Sequence, residues 1–140
     1  MTMAVQQIVR EAMVPEPTML GAGANAQEAG RLFADGPDVR AVFVCEDDGR
    51  LVGVVTRKTL VREVVAAGLD PRSVHLRDIA EPPLFTLDAG LPLDEAFRTL
   101  EERDLERVPV VEDNRLVGVL SRAVVQRRLA EDEPPEPFAD

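Results

Sequence analysis

The chain has no tryptophan and no tyrosine, and its five aromatic residues are all phenylalanine. A surface that stacks bases needs several aromatic rings, so nothing here builds such a platform. Positive charge is short as well: 16 Lys and Arg against 26 Asp and Glu leave a formal net charge of −10. Phosphate backbones and anionic lipid would need a basic stripe to overcome that charge, and none is visible. Neither a nucleic-acid polymer nor a membrane is an expected partner. A small anion is another matter, because two or three local arginines hold it whatever the total charge. No window approaches the ~20 apolar residues of a membrane span, and the N-terminus lacks a charged segment followed by a long apolar run. A cytoplasmic location is expected.

Catalytic groups are equally scarce. One cysteine, Cys45, cannot form an internal disulfide, and its valine-rich setting makes it a small core residue. One histidine, His75, has no partner at metal-ligand spacing, so no metal is assigned. The run Glu46-Asp47-Asp48 lacks the spaced ligands of a calcium loop and reads as turn residues. No catalytic residue is assigned, and the chain is not expected to be an enzyme.

What the chain does have is apolar residues, 45% of 140, enough to bury a real core. It also has a repeat. Sliding the sequence along itself until Arg10 falls on Arg77 also brings Pro15 onto Pro82, Glu28 onto Glu95 and Arg40 onto Arg107, without a gap through Val44 and Val111. Two residues then drop out of the second copy, and Arg50–Arg57 (RLVGVVTR) lies on Arg115–Arg122 (RLVGVLSR). The deletion falls between valine-rich runs, in CEDDG of one copy and EDN of the other. That is a hairpin turn, so Val39–Cys45 should pair with Leu51–Val55, and Val108–Val111 with Leu116–Leu120.

Asn25 and Glu28 form a capping box for a helix that Gly36 stops, with Ala26, Ala29, Leu32 and Phe33 on one face. In the second copy Pro92 opens a helix through Leu93, Ala96, Phe97 and Leu100. Thr56 and Ser121 stand where N-caps belong, before helices through Leu60, Val61, Val64 and Val65, ended by Gly68, and through Val124, Val125 and Leu129. Short strands at Thr18–Leu20 and Phe85–Leu87 complete a β-α-β-β-α unit in each copy. The fold class is α+β (α/β), with two pseudo-symmetric repeats packed through their sheets. Domain limits are expected at 1–69, with a short N-terminal helix through Val5, Ile8, Val9 and Met13, and at 70–130, with 70–76 a simple crossover. Residues 131–140, rich in proline and carboxylates, read as a disordered tail.

The tandem copy, the hairpin strands LVGVVT and LVGVLS, and the phrase RVPVVEDNRLVGVLSR resemble the cystathionine-β-synthase (CBS) domain family, over nearly all of Ile8 to Leu129. The resemblance implies a Bateman module, often dimerised, whose inter-repeat clefts bind an adenosine-containing ligand: AMP, ADP, ATP or S-adenosylmethionine. No cofactor is required. The segments it assigns to the ligand are Arg40, Ala41 and Val42 with Thr56, Arg57, Lys58 and Thr59 in the first copy. In the second they are Arg107, Val108 and Pro109 with Ser121, Arg122 and Val124. The family's helix-start aspartate, which accepts from ribose hydroxyls, is replaced by Thr59 and by Val124. Thr59 retains a hydroxyl, which makes the first copy the better expected site. The hydroxyl and arginine at each helix start also favour an anion in their own right. The expected function is a regulatory module that signals to a separate effector protein and forms a homodimer, covering a stripe of Leu60, Val61, Val64 and Val65. The alternative is a structural or interaction module with empty clefts.

Overall fold

A computed structural model describes residues 7–15, 17–83 and 85–132. Packing groups them into two compact units that cut across the sequence repeats: one holds 7–15, 85–112 and 117–132, the other 17–83 and the turn 113–116.

The unit built on the first repeat carries a three-stranded sheet of β2 (Met19–Gly21), β3 (Val42–Cys45) and β4 (Leu51–Val55), in that order. β2 runs parallel to β3, and β3 and β4 form the expected antiparallel hairpin. Parallel neighbours need a crossover, which is α2 (Ala26–Asp35). Its start is fixed by sequence: the Glu28 N–H donates to Asn25 Oδ1 at 3.0 Å, and the Asn25 N–H donates to Glu28 Oε2 at 2.8 Å. Ala29 and Phe33 of α2 meet Val42, Val44 and Val55 of the sheet in the core, with Leu76. α3 (Arg57–Leu60) follows β4 and widens into a π-helical turn over Val61–Val65, and Gly68 reverses the chain at φ +72°.

The unit built on the second repeat has four strands in the order β1 (Val14–Pro15), β7 (Arg115–Ser121), β6 (Arg107–Glu112) and β5 (Leu87–Asp88). The β6–β7 turn, Asp113-Asn114, has φ of +52° and +65°, the paired positive values of a tight hairpin turn. α5 (Leu93–Glu102) and α6 (Arg122–Asp132) belong to the same unit. The core joins Leu93, Ala96 and Leu100 of α5 to Val108, Val110, Leu120 and Val125, with Val9 and Ala12 of α1 (Val9–Ala12).

The repeats exchange their leading segments. Val14 and Pro15, in the leading segment of the first repeat, pair with Val119 and Gly118 of the second repeat's hairpin. Glu81, onto which the repeat shift carries Val14, pairs in the same way with Val54 of the first. Each crossing passes over a hairpin glycine. A Cβ on Gly53 would lie 2.6 Å from the Glu81 carbonyl oxygen, and one on Gly118 would lie 2.8 Å from that of Val14. Glycine is there because backbone approaches backbone.

The structure differs from the sequence reading in several places, among them β6 and β7, which extend the expected Val108–Val111 and Leu116–Leu120 by one residue at each end. β3 begins at Val42 rather than Val39, so Arg40 and Ala41 precede the strand. The first strands of the repeats fall one residue later at Met19–Gly21 and two later at Leu87–Asp88. The 70–76 segment is more than a crossover, because Leu76 opens α4 (Leu76–Ile79) and is fully buried. The expected tail loses Glu131 and Asp132 to α6, and its remainder, 133–140, lies outside the described residues, as does Val5 of the expected N-terminal helix.

Candidate functional site

Each repeat brings its two assigned segments into its own unit, and the two helix starts are built differently.

In the first repeat Thr56 caps α3. Its Oγ1 accepts from the Thr59 N–H at 3.2 Å, while Thr59 Oγ1 accepts from the Thr56 N–H at 3.0 Å and lies 3.0 Å from the other hydroxyl. This reciprocal box satisfies two helix-end donors. It also consumes Thr59, which is 1% exposed and turned toward Thr56. Arg57 points the other way, to the C-terminal end of α2. One guanidinium nitrogen donates to the Val39 carbonyl at 2.6 Å; the other reaches the carbonyls of Phe33 at 3.0 Å, Gly36 at 3.2 Å and Pro37 at 3.4 Å. The same group lies 4.9 Å from the centre of the Phe33 ring. A cation over the last carbonyls of a helix meets the negative end of its dipole. Lys58 and Arg40 are exposed, Ala41 is half-buried and Val42 is in the core.

In the second repeat Ser121 ends β7, and its hydroxyl has no hydrogen-bond partner among the described residues. Val124, at the position of Thr59, cannot reciprocate. The Arg122 N–H donates to the Glu106 carbonyl at 2.8 Å, and its guanidinium pairs with the carboxylates of Glu106 and, at 3.4 Å, of Asp104. The Arg122 side chain is 25% exposed, against 93% for Asp104 and 72% for Glu106. Arg107 is exposed, and Val108 and Pro109 are buried in β6.

The partners of both arginines escaped the sequence reading. A signal was available: the shift that carries Arg10 onto Arg77 places Pro37 and Val39 on Asp104 and Glu106, the very positions that Arg57 and Arg122 reach.

Elsewhere, the thiol of Cys45 is buried and donates to the Met19 sulfur at 3.9 Å, and burial pushes its pKa up, away from thiolate chemistry. Among the described residues no three His, Cys, Asp or Glu side chains are placed to hold a metal, and no helix is long and apolar enough to cross a membrane. The stripe on α3 and its π turn divides. Val64 is core and Leu60 packs against it, whereas Val61, Val65 and Leu69 are 57%, 71% and 52% exposed.

Comparison with known proteins fits this architecture. The CBS-domain pattern matches twice, over residues 9–66 and 76–131. Hypoxic response protein 1 of Mycobacterium tuberculosis is 36% identical over 94 residues, which are 67% of this chain and 66% of that protein. A crystal structure of Hypoxic Response Protein I with two coordinated zinc ions superposes with a TM-score of 0.73 at 30% identity, covering 87% of this chain and 98% of that one. CBSX2 in complex with AMP gives a TM-score of 0.68 at 25% identity over 89% of this chain and 96% of that one. The inosine-5'-monophosphate dehydrogenase of Helicobacter pylori matches 84% of this chain, yet that match spans 23% of the enzyme. With two family matches that fall on the two repeats found by self-comparison, the chain belongs to the CBS-domain family and carries a tandem pair of CBS domains.

Proposed function

We propose that the chain is a regulatory module that binds an adenosine nucleotide and reports its presence to a partner protein. The observation that carries this reading is the second helix start, where a hydroxyl with no hydrogen-bond partner among the described residues stands beside an arginine held by exposed side chains. The likeness to a protein solved with AMP supports it. In this reading phosphate meets Ser121 and Arg122, with Arg107, Val108, Pro109 and Val124 around the nucleoside. The first helix start, made of Arg40, Ala41, Val42, Thr56, Arg57, Lys58 and Thr59, is the weaker site, because Arg57 and Thr59 are already engaged. The ranking is therefore the reverse of the one drawn from residue types. AMP, ADP, ATP and S-adenosylmethionine all offer the required adenosine.

A second reading has its own observation. Neither helix start presents a carboxylate to ribose, and Thr59 is buried in the cap, which favours a structural or interaction module with no ligand. Mass spectrometry of the purified protein after denaturation separates the two. A co-purified adenosine nucleotide at near one equivalent supports sensing; its absence, together with no uptake of added AMP at millimolar concentration, overturns it.

The module is further proposed to act as a homodimer in the cytoplasm. Val61, Val65 and Leu69 recur four apart and remain uncovered in the single chain. Light scattering at micromolar concentration should return twice the mass of one chain; a single-chain mass contradicts the dimer.

A further inference from the structure

We propose that the arginine after each helix-capping hydroxyl is a strap across its own repeat, and that the two straps differ: the first is fixed, the second is released by salt. In both copies the guanidinium reaches the loop before the buried hairpin strand, at positions that the repeat shift superposes. What it finds there differs.

The first loop offers main-chain oxygens. β3 begins only at Val42, so the carbonyls of Pro37 and Val39 lie outside the sheet and are open to a side-chain donor, while that of Gly36 accepts from Arg57 as well as from the Val39 N–H. The Phe33 ring adds a face for the cation. Carbonyl dipoles carry no net charge, so dissolved ions have little long-range attraction to screen.

The second loop offers side-chain carboxylates, for three reasons visible in the backbone and the sequence. β6 begins at Arg107, two residues earlier than β3 by the same shift, and the Glu106 carbonyl is taken by the main-chain N–H of Arg122. Asp104 sits at φ +52°, a left-handed conformation that the ring of Pro37 forbids at the matching place, so the two loops turn differently. Leu100 stands where the first repeat has Phe33, and gives the cation no ring. What remains is an ion pair with two exposed carboxylates, which salt weakens.

The strap makes the segment before β6 the movable half of the pair and the segment before β3 the fixed half. Both segments lead into residues assigned to the ligand, yet the straps need no ligand and differ whether or not nucleotide binds.

Hydrogen exchange on the full chain tests the proposal through four protected amides. Gly36 and Val39 donate to the carbonyls of Leu32 and Gly36, and Asp104 and Leu105 donate to those of Glu101 and Leu100. Between about 0.05 M and about 1 M NaCl, exchange at 104 and 105 should rise about threefold or more, while 36 and 39 stay within about 1.5-fold. The paired substitution Asp104→Asn with Glu106→Gln should abolish the salt response. Arg57→Ala should raise exchange at 36 and 39 about tenfold, and Arg57→Lys should fail to restore it, since a point charge cannot span the several carbonyls that the planar fork reaches. An equal salt response in both segments, no response in either, a response that survives the paired substitution, or an Arg57→Lys protein with full protection at 36 and 39 would overturn the proposal. The salt comparison uses the unmodified protein, so it decides even if a variant does not fold.

Discussion

RLVGVVTR and RLVGVLSR differ at two conservative positions, yet their final arginines have different partners. Arg57 holds four main-chain carbonyls; Arg122 holds two carboxylates. The cause lies outside the matched octet, in how far the hairpin ladder extends and in whether residue 37 or residue 104 can take a positive φ. A repeat fixes where an arginine starts from, and the facing backbone decides what it does. Near-identity between repeats therefore transfers position more safely than role.

The largest expected effect is one in which the repeats should agree. Gly53→Ala pushes a methyl to 2.6 Å from a backbone oxygen, and Gly118→Ala pushes one to 2.8 Å from another and 2.6 Å from the Met13 sulfur. Each should cost about 1–3 kcal/mol in urea unfolding, the range for overpacking. A much smaller loss at Gly118 would mean that the β1 crossing is looser than its counterpart at Glu81.

Next come the arginines, where the repeats should part. Arg57→Ala removes charged hydrogen bonds from the α2 end and should destabilise by about 1–2 kcal/mol, allowing for solvation of the freed carbonyls. Arg122→Ala breaks exposed pairs and should cost below about 1 kcal/mol. Unfolding at low and high salt sharpens this, because the Arg122→Ala loss should shrink in about 1 M NaCl and the Arg57→Ala loss should not.

The smallest effect is at the caps. Thr59→Val turns the first helix start into a copy of the second and should cost roughly 0.5–1 kcal/mol, since it removes one half of a reciprocal box. Val124→Thr should return a few tenths to Ser121 by the same logic. Thermal unfolding of the two variants measures both signs.

Much of this was legible in sequence. The capping box at Asn25 and Glu28, both hairpins and the helix stop at Gly36 all depend on contacts between near neighbours, and such contacts leave a local pattern. α4 was missed as a local feature but not as a repeated one: the repeat shift carries Val9–Ala12 of α1 onto Leu76–Ile79, so the self-comparison already contained it. The exchange of leading segments was hidden, because nothing in Val14 or Glu81 names a partner strand; the glycines at 53 and 118 were the trace it left. At the candidate site the residues could be named from sequence, but their hydrogen-bond partners could not. Thr59 reads as a hydroxyl offered to ribose, and in the structure that hydroxyl closes the capping box with Thr56. Arg57 reads as a phosphate contact, and the carbonyls it also reaches left no local pattern in the sequence.

Calorimetric titration of AMP into the wild type, Arg57→Ala and Arg122→Ala tests the central claim most directly, that the chain senses a nucleotide through its second helix start. A charged hydrogen bond to phosphate is worth about 1.5–3 kcal/mol, or about one to two decades of affinity. Wild type should bind AMP, Arg122→Ala should lose about tenfold or more, and folded Arg57→Ala should lose less than about threefold. A wild type that takes up no AMP, or a larger loss at Arg57 than at Arg122, contradicts the account.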